Sequence, residues 1–139
     1  MENIQNQMKE LFGNSCYAYC VAWLFDGARS IKDLTSVVLQ GWYDGWIDND
    51  GFVSKPVQYI TKVCNKLSKV RDVVKVENIK KEDIPTVPTI VEMACPSGGS
   101  HFVVCHREGK NNIVLDFDPS GISNSWKAGN FIGYRRYVE

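Results

Sequence analysis

Two cysteines stand four residues apart in the stretch GNSCYAYCVAWLF, residues 13–25, where a polar turn meets an apolar segment. A thiol becomes a good nucleophile when its pKa falls, and both a helix N-terminus and a nearby imidazolium lower that pKa. With Ser15 as the N-cap, Cys16 falls in the first turn of a helix, where backbone N–H groups lack intrahelical partners. Cys20, one turn further on, is expected to pack beneath it. Cys16 is therefore the candidate nucleophile.

A nucleophilic thiol needs a general base, and the chain contains two histidines. His101 begins a predicted strand after a Ser/Gly-rich segment, and His106 lies at the far end of the same strand. Side chains alternate between the two faces of a strand, so His101 shares a face with Val103 and Cys105 while His106 points the other way. One site cannot easily use both imidazoles. His101 is the candidate base, and His106 is interpreted as a strand-end surface or packing residue.

The third member of such a site orients the imidazole, usually through Asp or Asn. Asp116 and Asp118 occur in the next predicted strand and are expected to share a face. A two-residue type II′ turn at residues 109–110 would place Asp118 directly opposite His101, within about 5 Å at Cβ. The register therefore favours Asp118, and a slip of the turn would leave Asp116 as the alternative.

The elements that must position these groups change type half way along the chain. Apolar residues recur at helical spacing in the first half, and the second half alternates as strands do. Helices followed by antiparallel strands predict an α+β fold in one domain over residues 1–139. The predicted helices cover 4–12, 16–25, Ser30 to about Gly41, and Ser54 to Leu67, and the predicted strands lie near 70–76, 89–95, 101–107, 112–118 and 131–138.

Composition excludes several classes of partner. The chain has 139 residues with a formal net charge of zero, and no basic run marks a nucleic-acid or anionic-membrane surface. No stretch of about 18 apolar residues predicts a membrane span, and the polar N-terminus does not resemble a secretory signal. Five cysteines, an odd count without a small-scaffold pattern, favour free thiols in a reducing compartment. We therefore expect a cytoplasmic protein that binds neither nucleic acid nor membrane.

Three short motifs together resemble the papain-like cysteine peptidase superfamily: NSCYAYCVAWLF, GGSHFVV and VLDFDPSG. The resemblance is closest to bacterial and phage branches, such as double-glycine leader peptidases and NlpC-type cell-wall endopeptidases. It implies a papain-like fold, with N-terminal helices packed on a C-terminal antiparallel sheet, and no cofactor. It also implies that Cys16 attacks an amide of a peptide or cell-wall peptide, with His101 as general base and acid and Asp118 as the orienting group.

One position departs from the pattern of this superfamily. Many members place a Gln about six residues before the cysteine to help bind the oxyanion, and Glu10 stands there instead. A carboxylate repels developing negative charge. Asn14 or Gln7 would have to supply the side-chain donor, beside the Cys16 backbone N–H. Glu10 also motivates a second hypothesis, in which the chain is a papain-like binding module without catalytic activity.

Two further parts of the sequence carry residue types that bind metals or other ligands. Cys16, Cys20, Cys105 and His101 include the ligands that zinc prefers, but CxxxC is not the usual knuckle spacing. Cys105 would also lie about 13 Å along the strand from His101. Cys64 and Cys95 are interpreted as core or loop residues, so no metal is expected.

The segment from Gly41 to Gly51 carries Trp42 and Trp46 among several aspartates. Its aromatic side chains are candidates for lining a groove that binds peptide or sugar. Its DNDG stretch is only a fragment of a calcium loop and lacks the later Glu. A solvated turn whose tryptophans fold into the core is the more typical arrangement for such a segment.

Overall fold

The computed structural model describes residues 11, 13–95, 99–120 and 130–139. Two compact units are present: a helical unit that ends at Arg71 and a sheet unit, Asp72–Val138. Helices precede a five-stranded antiparallel sheet, so the predicted α+β class is confirmed. The helix predicted over 4–12 lies outside the described residues except for Leu11. None of the helices in the described part of the chain is long and apolar enough to cross a membrane.

The first described helix, α1 (Cys16–Val21), widens into a π-helical turn over Ala22–Asp26. Gly27 then ends the segment in the left-handed region at φ 84°, a conformation that costs glycine little. The start and the end of this helix agree with the sequence prediction. The π turn was not predicted, and such turns occur frequently near functional sites.

The second helix, α2 (Ile31–Tyr43), begins where the sequence predicts, because the Ser30 hydroxyl accepts a hydrogen bond of 3.1 Å from the Asp33 N–H. It continues two residues beyond the predicted end at Gly41. The third helix, α3 (Pro56–Gln58), has Pro in its first turn and continues as a π-helical segment, Tyr59–Cys64.

The predicted extension of α3 to Leu67 is wrong. Asn65 adopts extended backbone, and its side-chain oxygen accepts a hydrogen bond of 3.0 Å from the Leu67 N–H. This contact replaces a further helical turn, as Asn side chains do in turns. Leu67 is consequently 89% exposed rather than part of the buried stripe.

Tyr59 holds the helical unit together. Its side chain is fully buried, and its hydroxyl donates a hydrogen bond of 3.0 Å to the carbonyl of Ala18 in α1. The ring packs against α2 at Gly41, where any side chain would collide with it. Burial of an aromatic side chain of this size contributes about 2–3 kcal/mol. Tyr59 therefore fixes the helix that begins at Cys16.

The strands of the sheet unit are β1 (Asp72–Glu77), β2 (Thr89–Ala94), β3 (Ser100–Glu108), β4 (Asn112–Phe117) and β5 (Asn130–Val138). Their order in the sheet is β1-β5-β2-β3-β4, with every neighbouring pair antiparallel. Its core lies on the face that carries Val91, Met93, Val103 and Cys105, and Ile84 packs onto that face from the segment before β2. Alternating β-branched residues form these strands because they pack well on a pleated surface.

Candidate active site

Cys16 is the first residue of α1 and is half-buried, whereas Cys20 is fully buried, as predicted. Ser15 precedes the helix, and its carbonyl accepts the first helical hydrogen bond, 3.0 Å from the Tyr19 N–H. Ser15 is the N-cap residue, as predicted, but its side chain makes no capping hydrogen bond. Its backbone, at φ −97° and ψ 19°, lies outside the extended region that side-chain capping requires.

His101 and Asp118 form a close pair in the sheet unit. The distance from His101 Nε2 to Asp118 Oδ1 is 2.8 Å, and the two side chains are 14% and 4% exposed. An ionised carboxylate only accepts hydrogen bonds, so the imidazole proton at this contact resides on Nε2. Asp118 therefore sets the orientation and the tautomer of His101, and proton exchange with other groups falls to Nδ1.

Ser120 completes the surroundings of this carboxylate. Asp118 Oδ1 accepts hydrogen bonds from the Ser120 N–H at 2.9 Å and from the Ser120 hydroxyl at 2.6 Å. Asp118 Oδ2 is buried without a hydrogen-bond partner in the described part of the chain. Ser120 is not among the site residues predicted from the sequence. The Asp-Pro-Ser spacing was the available signal, because an Asp side chain often binds the backbone two residues on.

The register of β3 and β4 differs from the predicted one at two places. The turn comprises residues 109–111 rather than two residues, and its first residue, Gly109, has φ 66°. A bulge then adds one residue to β4. His101 and Asp118 are consequently diagonal neighbours, not directly opposite as predicted.

Asp116 does not share the face of Asp118, so the prediction of a common face is wrong. Asp116 Oδ2 instead lies 2.7 Å from Nδ1 of His106, whose Nε2 lies 3.2 Å from Glu108 Oε1. The hydrogen bonds to Asp116 and then to Glu108 raise the pKa of His106 above its ordinary value. His106 is thus an ion-paired residue, and Asp116 is not available to His101.

The remaining thiols differ from Cys16 in burial. Burial raises the pKa of the Cys64 thiol to about 12, although the Tyr59 hydroxyl opposes this rise. Burial also raises the pKa of Cys105 to about 12, with the Asp116 charge adding to the effect. Cys95 is half-buried like Cys16. Only Cys16 and Cys95 are therefore open to reagents in the folded protein.

The aromatic segment is more exposed than expected. Trp42 is 40% exposed and donates a hydrogen bond of 3.0 Å to Asn49 Oδ1, so the interpretation that it folds into the core is wrong. Trp46 is half-buried, with the Lys55 ammonium 5.8 Å from its ring centroid. A substrate-binding role for both tryptophans stays a prediction.

The DNDG stretch forms a turn closed by its own first side chain. Asp48 Oδ1 accepts hydrogen bonds of 3.0 Å from the N–H groups of Asp50 and Phe52. That oxygen therefore serves the backbone, as Asp side chains commonly do in turns. Among the described residues, no group of three or more His, Cys, Asp and Glu side chains is arranged to hold a metal ion.

The structure describes only some of the candidate oxyanion residues. Asn14 is exposed in the turn that leads into α1, and Gln7 and Glu10 lie outside the described residues. Cys16 and Asn14 belong to the helical unit, and His101 and Asp118 to the sheet unit. The structure thus brings His101 and Asp118 together, while the pairing of Cys16 with His101 stays a prediction.

Comparison with known proteins identifies no relative: no protein-family model, curated protein or solved structure matches this chain.

Proposed function

We propose that this chain is a papain-like cysteine peptidase or related amidase, with Cys16 as nucleophile, His101 as general base and acid, and Asp118 as the orienting group. The observation that carries the proposal is the buried contact of 2.8 Å between His101 Nε2 and Asp118 Oδ1. A buried carboxylate fixed on one imidazole nitrogen is the arrangement that prepares the other nitrogen for proton transfer.

The reaction follows from this arrangement. The Cys16 thiolate attacks the amide carbonyl carbon, and the C–N bond breaks as His101 donates the Nδ1 proton to the leaving amine. The product of this step is a thioester on Cys16. Water then attacks the thioester while His101 removes its proton, and the C–S bond breaks to release a carboxylic acid. Asp118 stabilises the imidazolium in both steps by accepting from Nε2.

The oxyanion of each tetrahedral intermediate needs hydrogen-bond donors. The Cys16 backbone N–H is one candidate, because the first N–H groups of a helix have no intrahelical acceptor. Asn14 is exposed, lies two residues before Cys16 and carries an amide donor. These two groups replace, in this proposal, the Gln that the superfamily pattern places at the position of Glu10.

We propose peptides, including cell-wall peptides, as the substrates, and the exposed ring of Trp42 as a surface for packing against them. The reaction requires no cofactor. A cytoplasmic location is supported by the state of the cysteines, since all five are free thiols. Disulfides are rare where glutathione and thioredoxin keep thiols reduced.

The proposal is tested by cross-linking with dibromoacetone, a short reagent that alkylates a thiol and then a neighbouring imidazole. The expected product joins Cys16 to His101 and is identified by mass spectrometry of the digested protein. Cys95, the other half-buried thiol, lies two residues beyond Met93, the cross-strand partner of His101, so any cross-link from Cys95 to His101 is assigned separately from that of Cys16. Loss of the cross-link in His101→Ala, with alkylation of Cys16 retained, would establish its site.

The opposite result is equally specific. If Cys16 gains only a single-ended adduct in the wild-type protein, Cys16 and His101 are not neighbours. The proposal then fails, and the non-catalytic binding module that Glu10 suggested becomes the better hypothesis.

A further inference from the structure

The bulge in β4 decides which face of the sheet receives the Asp118 carboxylate. From the turn upward, β3 and β4 pair in one register as far as Cys105 with Leu115. The next pair is Val104 with Phe117, which leaves Asp116 as the extra residue. Because side chains alternate along a strand, one inserted residue moves every later side chain to the opposite face.

Without this extra residue, Asp118 would fall opposite Phe102 and point away from His101. With it, continuing the Val104–Phe117 register places Asp118 opposite Val103, on the face of His101 and two residues from it. The contact of 2.8 Å between the imidazole and the carboxylate depends on that placement. The bulge is therefore a geometric requirement of the His101–Asp118 pair.

A side-chain contact holds the extra residue. A bulge leaves its extra residue unpaired and locally disrupts the ladder of backbone hydrogen bonds. Asp116 Oδ2 lies 2.7 Å from His106 Nδ1, and the two side chains are only 18% and 19% exposed. Glu108 contacts the other imidazole nitrogen at 3.2 Å but is 61% exposed. An exposed ion pair contributes little, so Asp116 is the principal partner.

We propose that Asp116 and His106 are positioning residues, whose ion pair holds the bulge in the register that carries Asp118 to His101. The pair acts from the opposite face of the sheet and touches neither His101 nor the reacting atoms. Its consequence for catalysis rests on the function proposed above, whereas its effect on the His101–Asp118 contact does not.

The test is NMR of the His101 imidazole in Asp116→Ala, with Glu108→Ala as the matched control. Both changes remove a carboxylate bonded to His106, but only Asp116 lies in the bulge. In wild type and in Glu108→Ala we expect His101 to carry a proton on Nε2 that is shifted downfield by Asp118. In Asp116→Ala we expect this resonance to be lost while the far-UV circular dichroism is retained.

Two more variants complete the test. His106→Gln removes the same ion pair without altering β4 and is expected to weaken or abolish the His101 Nε2 proton resonance. This variant tests the proposal even if Asp116→Ala does not fold. Asp116→Asn keeps an acceptor for His106 and is expected to retain that resonance. A folded Asp116→Ala or His106→Gln protein with the wild-type His101 spectrum would overturn the proposal.

The failure of this inference is distinguishable from that of the proposed function. The NMR signal reports only the His101–Asp118 contact and needs neither substrate nor Cys16. An absent Cys16–His101 cross-link would remove the peptidase proposal and leave the positioning role of Asp116 intact. An unchanged His101 spectrum in Asp116→Ala would remove the positioning role of Asp116 and leave the peptidase proposal intact.

Discussion

Gly41→Ala is predicted to destabilise the helical unit, although alanine is the better helix former. An alanine Cβ at this position would lie 2.6 Å and 2.7 Å from two ring carbons of Tyr59, and 2.9 Å from Ile47 Cδ1. These distances are too short for any carbon contact. The ring cannot move away freely, because Tyr59 is fully buried and its hydroxyl is bonded to the Ala18 carbonyl.

The expected size follows from two opposing contributions. Overpacking a core costs about 1–3 kcal/mol, and the tethered ring places this change at the upper end. The higher helix propensity of alanine returns about 1 kcal/mol. We therefore expect Gly41→Ala to lower the free energy of unfolding by about 2 kcal/mol.

Urea denaturation followed by far-UV circular dichroism measures this change. Gly13→Ala is the matched control, because no described atom lies within 4 Å of a Cβ built there. It is expected to leave stability unchanged or to raise it by up to about 1 kcal/mol. If Gly41→Ala proves as stable as Gly13→Ala, the tight packing of Tyr59 against α2 is refuted.

Three other predictions concern the sheet unit and the thiols. Ser120→Ala should lower the free energy of unfolding, measured by urea denaturation, by about 1 kcal/mol, because the buried Asp118 carboxylate loses a hydrogen-bond donor. Ser120→Thr keeps the hydroxyl and should restore the stability. Equal stability of all three proteins would contradict this role of Ser120. Cys64 and Cys105 have pKa values raised to about 12. Mass spectrometry should therefore find both thiols unlabelled by iodoacetamide below pH about 9 until the protein is unfolded. Rapid labelling of either thiol in the folded protein would contradict its burial. The hydrogen bond to Asp116 raises the pKa of His106 in the folded protein. The stability of wild type over His106→Gln should therefore be greatest below pH about 6.5 and decline as the pH rises through the raised pKa. A difference in stability that does not depend on pH would refute the ion pair.

Much of the fold could be predicted from residue patterns. The strands were expected near their observed positions, because alternation of β-branched and polar residues directly reports the pleat. The Ser30 cap was predictable from residue type alone. The widening of α1 into a π turn was not, since one extra residue in a single turn leaves no periodic signal. The early end of α3 depends on a local side-chain contact of Asn65, which hydrophobic spacing does not report.

The His101–Asp118 pair was predicted correctly from a register that was wrong. The turn is one residue longer than expected, and the bulge at Asp116 adds another. Each one-residue shift moves the later side chains to the opposite face, so the two shifts together restore the face of Asp118. Asp116 lies at the bulge itself, so the second shift does not return its side chain to the predicted face. The bulge could not be predicted, because its side-chain partner His106 becomes recognisable only once the strands are paired.

The proposed function depends on the claim that Cys16 and His101 act together, which the reactivity of each cysteine can decide. The rate of iodoacetamide labelling at each cysteine is followed by mass spectrometry near neutral pH, in wild type and in His101→Ala, with Cys95 as the internal reference. We predict that Cys16 reacts much faster than Cys95 in wild type and loses that advantage in His101→Ala. Equal rates at Cys16 in the two proteins would contradict the claim and leave Cys16 as a packing residue at the start of a helix.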